Sequence, residues 1–349
     1  MGWTSRLFLT LVLGCLSSIL LVAIEADSGK MRVIAGTGEA GFEDGSPGAF
    51  NKPIRLAPYG EGAVLVADIF NHAIRVVNVD GTVKTIAGGP DRKGFADGSA
   101  EVARFASPHG VAISREGLIA VAEAENHTIR LLTPVLGADN QGPEGYVIST
   151  LAGVPGSGGM KDGPAAEALF QSPHAVAWTP DGDLLVADIG NARIRRVSSE
   201  TVGTAAGSGD EGRRDGASAE ASFHYPMDIA LAADGTLWIA DAGSHSVRSL
   251  DPEGKVSTLD LASGIDTPHG IAVGPDGVLY LAEMARHRIL AVNPDGEVTT
   301  VCGTGKAGSG PGELNRPAAV LVHGGVVWVA DLDNHRIVIC QMPANDTGS

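Results

Sequence analysis

Short apolar runs alternate with turn-forming residues along most of the chain. Runs such as GVAI from Gly110 and LLVA from Leu184 end at clusters of Gly, Asp, Asn or Pro, and many of their side chains are Val or Ile. Short β-branched runs with these boundaries predict strands, because a helix shows a longer run with apolar residues every three or four positions. The pattern predicts an all-β fold.

One phrase of ten residues occurs six times. VADIFNHAIR from Val66 returns as VAEAENHTIR from Val121, VADIGNARIR from Val186, IADAGSHSVR from Ile239, LAEMARHRIL from Leu281 and VADLDNHRIV from Val329. Each copy belongs to a longer unit that opens on a proline, namely Pro53, Pro108, Pro173, Pro226, Pro268 or Pro317. A unit holds four strand patterns, and one such sheet cannot bury both of its faces alone. The units therefore predict the six blades of a β-propeller.

The two ends of the chain predict how the ring closes. The sixth unit stops after its third strand, at RIVICQ before Pro343, and the segment MRVIAGTG from Met31 matches the fourth strand of the other units. We expect this N-terminal strand to complete the last blade, because closure removes the edges that an open stack would expose. The propeller is predicted over residues 29–343, with a flexible tail at 344–349.

The recurring polar residues of the phrase are predicted to be structural, because a catalytic group is needed once and a structural one in every blade. The acidic residue can accept backbone N–H groups of the turn that follows it, and the arginine can pair with that acid or with the neighbouring blade. The histidines are expected to be turn residues. The acids are Asp68, Glu123, Asp188, Asp241, Glu283 and Asp331, the arginines Arg75, Arg130, Arg195 and Arg248, and the histidines His72, His127, His245, His287 and His335.

The N-terminal segment has the charge order of an export sequence. Arg6 precedes an apolar stretch from Leu7 to Ile24, and Glu25 and Asp27 follow it. This order is typical of a signal peptide and also of a signal anchor, so residues 1–28 are predicted to be one or the other. We expect the rest of the chain to be secreted, periplasmic or held outside by a membrane tether.

Charge and cysteine content bear on partners and compartment. The formal charge of −16 argues against a nucleic-acid partner, because phosphate neutralisation needs clustered Lys and Arg. Acidic loops such as EGRRDGASAEASF from Glu211 offer contact surface to a protein or a small molecule instead. Cys302 and Cys340 each lie in an apolar strand pattern, so we expect two buried thiols rather than a disulfide.

The phrase N-H-x-I, the opening P-x-G-[VI]-A and loops such as AGTGEAGFEDGSPGAFNKP together resemble the NHL-repeat family of β-propellers. The resemblance covers about residues 31–342. It implies a six-bladed propeller that binds ligands on the face carrying the connections from the fourth strand of one blade to the first strand of the next, here called the top face. The basic RNA-binding branch of that family is disfavoured by the acidic charge.

Three blades carry a histidine directly after the opening proline, at His109, His174 and His269. This position begins the innermost strand, so the imidazoles are expected at the mouth of the central channel, where they suit Zn²⁺ or a similar metal. The pattern resembles the peptidyl-hydroxyglycine amidating lyases, which implies that the three histidines are metal ligands and Asp228 a calcium ligand. The histidines fall on blades two, three and five rather than on alternating blades, and the tyrosine of those lyases is missing.

The alternative is that the three histidines are polar residues of the mouth that bind water or a ligand. Arg55 and Asp228 are predicted to line the same mouth as ligand-binding residues, since a concave face with converging polar groups is the usual binding site. We therefore expect an exported binding or scaffolding module that uses its top face. The rival is a metal-dependent lyase or hydrolase, with zinc or calcium as the candidate cofactor. The sequence favours a protein that is not an enzyme without deciding the matter.

Overall fold

A computed structural model describes residues 31–137, 142, 145–261 and 264–343. The predicted signal segment at 1–28 and the tail at 344–349 lie outside these residues. Within them the regular structure consists of strands and short 3-10 turns, and no helix is long and apolar enough to cross a membrane. The strands form six separate antiparallel sheets, which confirms the all-β, six-bladed propeller.

Each blade runs outward in chain order from an inner strand that begins at the opening proline. Blade one consists of β2 (Pro53–Tyr59), β3 (Ala63–Asp68), β4 (Ala73–Asn78) and β5 (Val83–Gly88). Blade two consists of β7 (Pro108–Ile113), β8 (Ile119–Glu123), β9 (Thr128–Pro134), β10 (Tyr146–Ala152) and an outer β6 (Gly98–Ser99). Blade three consists of β12 (Pro173–Trp178), β13 (Leu184–Asp188), β14 (Arg193–Val197), β15 (Thr201–Ala206) and an outer β11 (Gly163–Pro164).

The second half of the ring repeats this arrangement. Blade four consists of β17 (Pro226–Leu231), β18 (Leu237–Asp241), β19 (Ser246–Leu250), β20 (Lys255–Thr258) and an outer β16 (Gly216–Ala217). Blade five consists of β21 (Pro268–Val273), β22 (Leu279–Glu283), β23 (Arg288–Val292) and β24 (Val298–Cys302). Blade six consists of β25 (Pro317–His323), β26 (Val326–Asp331), β27 (Arg336–Gln341) and β1 (Met31–Ala35). The outer strands β6, β11 and β16 were not predicted, because two residues show no alternation.

Turns of 3-10 helix join several of these strands. They span Ile69–Asn71, Pro90–Arg92, Ala165–Glu167, Ile189–Asn191, Ala242–Ser244, Met284–Arg286 and Leu332–Asn334. Of these seven turns in the described residues, five connect the second strand of a blade to its third, on the top face. The short connections leave little freedom in how one strand is placed beside the next.

Ring closure follows the sequence prediction. Strand β1 pairs antiparallel with β27, and Met31 lies opposite Cys340. The inner strands β2, β7, β12, β17, β21 and β25 contact one another in that order, and β25 contacts β2. They therefore surround a central channel, and each interface between neighbouring blades, here called a seam, contains its own apolar core.

Cys302 and Cys340 form a disulfide bond, so the prediction of two buried thiols was wrong. Cys302 ends the outer strand of blade five and Cys340 lies in β27 of blade six, with 6.3 Å between their Cα atoms. No pattern in the sequence indicates this proximity, because only the stacking of the two blades brings strands from different sheets together. The bond ties blade five to the strand that carries β1.

The acid of the repeated phrase is buried with an arginine. Asp68 pairs with Arg75 at 3.0 Å, and both side chains are fully buried. Its other carboxylate oxygen accepts the backbone N–H of Asn51 at 2.8 Å. The expectation that the acid accepts N–H groups of the following turn was wrong, since the backbone donor precedes the opening proline and the turn supplies only the Asn71 side chain. The predicted ion pair recurs as Glu123–Arg130, Asp188–Arg195 and Asp241–Arg248.

Each of these four arginines also holds the connection that precedes its blade. Arg75 pairs with Asp44 at 2.8 Å and lies over the ring of Phe50. Asp44 in turn accepts the backbone N–H of Thr85 in the fourth strand. The equivalent aspartates are Asp97, Asp162 and Asp215. These aspartates were not predicted, although the sequence carries a signal for them: each is followed by glycine in a D-G pair of the connection.

The histidine of the phrase ends the turn and contacts the next blade. His72 has a φ of 52°, and its Nδ1 accepts the backbone N–H of Ser107 at 3.2 Å. The other four such bonds join His127 to Ser172, His245 to Thr267, His287 to Arg316 and His335 to Lys52. Blade three has Ala192 at this position. The histidines are turn residues, as predicted, and they also link neighbouring blades.

Candidate functional site

A β-bulge at the start of each inner strand sets the side chains of the channel mouth. In blade two, Pro108 pairs with Glu123 and Gly110 with Ala122, so His109 is the extra residue of the bulge. The same bulge places His174 and His269 in their blades. Because a bulge turns the extra side chain away from the regular alternation, it can aim that side chain at the channel axis.

The second position after the proline carries charge in two blades only. Arg55 occupies it in blade one and Asp228 in blade four, and these blades stand opposite each other in a ring of six. Arg55 Nη1 lies 2.6 Å from Asp228 Oδ2, and Arg55 Nη2 donates to the carbonyl of Met227 at 2.8 Å. Both side chains are buried, and because their blades stand opposite each other this ion pair spans the channel.

Small residues at the same position of the other blades leave room for that ion pair. They are Gly110, Ala175, Gly270 and Ala319. A Cβ atom on Gly110 would lie 2.5 Å from the carbonyl oxygen of His174, and one on Gly270 would lie 2.7 Å from that of Ala318. The inner strands therefore approach too closely to admit larger side chains there.

Asp228 is fully hydrogen-bonded, whereas Arg55 is not. The Asp228 carboxylate accepts the backbone N–H groups of Ile229 and Ile271, each at 2.9 Å, in addition to its contact with Arg55. Burial raises the pKa of Asp228, and the charge of Arg55 opposes that shift. Arg55 Nε is buried without a hydrogen-bond partner among the described residues. Burial lowers the pKa of Arg55, and Asp228 opposes that shift.

The three predicted histidines lie around this ion pair. His109 and His174 stack, with ring centroids 3.9 Å apart and ring planes at 23°. His109 Nδ1 lies 3.2 Å from the carbonyl oxygen of Ser107, and His269 Nδ1 lies 2.8 Å from that of Ala318. Since only a protonated nitrogen donates to a carbonyl, these contacts leave Nε2 of both neutral rings as hydrogen-bond acceptors.

Burial keeps the three rings neutral. It lowers the pKa of His109 to about 4 and that of His269 to about 3, and it holds the pKa of His174 well below its usual range. The positive charge of Arg55 contributes to all three shifts, which places the rings near that guanidinium. His174 Nδ1 is buried with no hydrogen-bond partner in the part of the chain that the structure describes.

The predicted metal ligands do not point at one common position. A metal ion lies in the plane of each imidazole that binds it, and nearly parallel stacked rings share no such point. Across residues 31–137, 142, 145–261 and 264–343, no group of three or more His, Cys, Asp or Glu is arranged to hold a metal ion. Zinc at His109, His174 and His269, or calcium at Asp228, stays a prediction, and zinc would require the stacked rings to turn apart.

The NHL repeat family model matches residues 105–130 of the chain, which span the opening and the repeated phrase of blade two. The propeller topology extends the same unit around the ring. This match supports the assignment of the chain to the NHL-repeat β-propellers. In general terms, the NHL-repeat propeller fold supports a binding or scaffolding module.

Curated relatives agree with this family, and a solved structure shares the fold. Protein SUPPRESSOR OF QUENCHING 1, chloroplastic, of Arabidopsis thaliana is 28% identical over 65% of the chain, and NHL repeat-containing protein 2 of Bos taurus is 32% identical over 54%. The chain spans 28% of the length of each of these relatives. A structural genomics protein of unknown function from Bacteroides thetaiotaomicron has a TM-score of 0.64 and 17% identity, covering 88% of this chain and 74% of its own, which shows the fold alone.

Proposed function

We propose that this NHL-repeat propeller is an exported binding module that takes a ligand at the mouth of the central channel on its top face. The mouth is formed by Arg55, His109, His174, Asp228 and His269. The Arg55–Asp228 ion pair spans the channel, so we expect a ligand to enter from the top face. A concave, mostly buried site with a few placed polar groups is the usual form of a small-molecule site.

The observation that carries the proposal is that two buried polar atoms of different side chains, both placed near the channel axis, have no partner. Arg55 Nε and His174 Nδ1 are both buried and unbonded among the described residues. Leaving such an atom unpaired costs about 1–3 kcal/mol, and the blades without these side chains are built equally well. A ligand that bonds to these atoms recovers that energy.

The hydrogen bonds around the mouth indicate the chemistry of the ligand. Nε2 of His109 and of His269 can accept, because Nδ1 of each ring faces a backbone carbonyl. The positive charge of Arg55 is already neutralised by Asp228. We therefore expect an uncharged ligand with hydroxyl or amide groups, which can donate to the histidines and accept from Arg55.

Export is supported by the Cys302–Cys340 disulfide. Structural disulfides persist in oxidising compartments and are rare where thiols are kept reduced. The apolar segment that follows Arg6 agrees with this interpretation. Alkylation and mass spectrometry of protein recovered from its native host should show the two cysteines linked, whereas free thiols in that sample would argue against export.

The mouth can be tested with a fixed panel of monosaccharides, amino acids and dipeptides. We expect at least one compound to raise the melting temperature and to move the NMR signals of ¹⁵N-labelled His109, His174 and His269. His174→Phe should abolish the effect, and His127→Ala, at a seam away from the mouth, should leave it unchanged. A panel without such a compound, or a compound that moves only other histidines, would contradict the proposal.

The rival function is a metal-dependent lyase or hydrolase at the same mouth. It is favoured by the carbonyl contacts of His109 and His269, because metal-binding histidines commonly donate their second nitrogen to a carbonyl. The stacking of His109 on His174 argues against a metal-dependent enzyme. One zinc per chain in the purified protein, lost in both His109→Ala and His269→Ala, would favour the enzyme over the binding module.

A further inference from the structure

Large aromatic rings fill the lower half of five of the six seams, on the side opposite the top face. Trp178 packs between blades two and three, Trp238 between four and five, Tyr280 between five and six, and Trp328 between six and one. Tyr59 and Tyr146 meet between blades one and two, with their hydroxyl oxygens 2.9 Å apart. Among the described residues, the core between blades three and four contains neither Trp nor Tyr.

A groove of about 310 Å³ opens at that seam. Its apolar lining comes from Leu185, Leu231, Leu237 and Leu250, and its edges are the turn that includes Asp181 in blade three and the turn that includes Asp251 in blade four. Both turns join strands on the face opposite the mouth. The groove therefore lies where the other five seams hold a ring.

The inner strand of blade three shows how an aromatic ring can occupy this place in a seam. Trp178 ends β12 and Leu231 ends β17, and both strands contain six residues counted from the opening proline. Trp178 lies in the preceding seam, where its Nε1 donates to the carbonyl of Ala112 at 3.3 Å. The smaller Leu231 leaves the corresponding volume open, and Ala177 presents the carbonyl equivalent to that of Ala112.

The rim of the groove is acidic. Arg196 donates to Asp183 at 2.6 Å and to Asp181 at 2.5 Å, so one cation meets two carboxylates. Asp251 adds a third carboxylate on the other side of the groove. The chain as a whole has a formal charge of −16. A positively charged partner is attracted to such a rim, and charge complementarity of this kind sets orientation and suppresses wrong partners.

We propose that this groove binds an aromatic side chain, tryptophan above all, that is flanked by basic residues in an exposed segment of a partner protein. The ring takes the place that Trp178 takes one seam earlier, and the basic residues contact Asp181 and Asp251. Rings that enter a preformed apolar pocket are the common anchors of protein interfaces. The site lies on the opposite face from the mouth, so the two can be occupied together.

The test uses acetyl-Lys-Trp-Lys-amide as the probe, with calorimetry for affinity and methyl NMR for location. We expect the methyl signals of Leu185, Leu231 and Leu250 to move, and those of Leu56 between blades six and one to stay. Leu231→Trp fills the groove from within and should weaken binding at least about tenfold. Ile113→Leu, at the same position of blade two, should bind as the unaltered protein does.

Two further peptides distinguish the contribution of the aromatic ring to binding from the contribution of the basic charges. Acetyl-Lys-Ala-Lys-amide should not move the leucine methyl signals, and acetyl-Glu-Trp-Glu-amide should bind at least about tenfold more weakly than the basic probe. Equal binding of the alanine peptide, or methyl shifts elsewhere in the chain, would overturn the proposal. Should Leu231→Trp fail to fold, competition by free indole on the unaltered protein decides: indole must displace the basic probe.

Discussion

The seam between blades three and four differs from the other five at both of its ends. On the top face, the other seams have a histidine whose Nδ1 accepts a backbone N–H of the next blade, and this seam has Ala192. On the opposite face, the other seams contain a Trp or Tyr ring, and this seam has leucines around a groove. The buried pair Asp188–Arg195, by contrast, is retained in blade three.

This difference distinguishes the contacts that hold a single blade together from the contacts between neighbouring blades that one seam lacks. The buried acid and arginine connect the chain segment that precedes a blade to the repeated phrase within that blade. Four blades contain the pair in the same form. The histidine and the aromatic ring join a blade to its neighbour, and the backbones can pack without them. A seam that lacks both still closes, and it exposes a surface that the other seams bury.

The largest effect is expected from the buried acid–arginine pair, which is present in blade three and in blades at the other seams. Asp188→Ala leaves the buried Arg195 with the exposed Asp162 as its remaining carboxylate partner, so we expect the free energy of unfolding to fall by about 3–5 kcal/mol in urea denaturation. Asp68→Ala in blade one should cost a similar amount. A loss confined to one of the two blades would contradict the view that the pair serves both kinds of seam equally.

The second-largest effect on stability is expected from removing the disulfide bond between blades five and six. The disulfide closes a segment with a sequence separation of 38 residues. Cys302→Ser with Cys340→Ser is expected to lower the free energy of unfolding by about 2–4 kcal/mol, because the unfolded chain gains freedom. Reduction of the unaltered protein should reproduce the loss in the same denaturation experiment. Unchanged stability after complete reduction would show that packing alone holds this seam.

The histidine seams should weaken in acid. Burial, assisted by Lys93, lowers the pKa of His72, and burial, assisted by Lys52, lowers that of His335, while Glu125 opposes the first shift and Asp333 and Glu39 the second. A lowered pKa favours the neutral ring in the fold, so this stability is present above the ordinary value of 6.5 and is lost as the pH falls below it.

We expect each protonation to cost about 1 kcal/mol, because it turns Nδ1 from an acceptor into a donor and breaks the bond to the next blade. The double variant His72→Ala and His335→Ala should be less stable at pH 8 and should lose less on acidification to pH 5 than the unaltered protein. Parallel pH dependence of the two proteins in urea denaturation would rule out this role.

The smallest expected effect is an increase in stability. Ala192 has a φ of 49°, close to the φ of the five linking histidines, so histidine fits the backbone there. Ala192→His should add a sixth bond, to the backbone N–H of Tyr225, and raise the free energy of unfolding by about 0.5–1.5 kcal/mol. His127→Ala should lose a similar amount at the preceding seam. A destabilising Ala192→His would show that this seam has no room for the ring.

The sequence predicted the blades well because the unit repeats. Six copies of one phrase set the strand pattern, and the orphan strand at Met31 identified the closing partner of β27. The same repetition allowed the turn histidines and the arginine pairs to be recognised as structural. The outer strands β6, β11 and β16 were not predicted, since each contains only two residues and shows no periodic pattern.

Candidate residues for the mouth could be named from the sequence because they stand one or two positions after the opening proline of their units, whereas their mutual arrangement could not be predicted. The sequence holds a further clue that was missed: the charged second positions, Arg55 and Asp228, are three units apart and therefore opposite in a ring of six. The stacking of His109 on His174 depends on side-chain torsions and on the narrowness set by Gly110, which no spacing reveals.

The sequence by itself determined the number of blades, the order of strands within each blade and the strand that closes the ring, because these depend on a local pattern that recurs. Only the tertiary structure decided which residues of different blades meet: the Arg55–Asp228 ion pair, the Cys302–Cys340 disulfide and the open seam between blades three and four. These contacts join parts of the chain that lie far apart in sequence, and their distances are set by how the sheets stack.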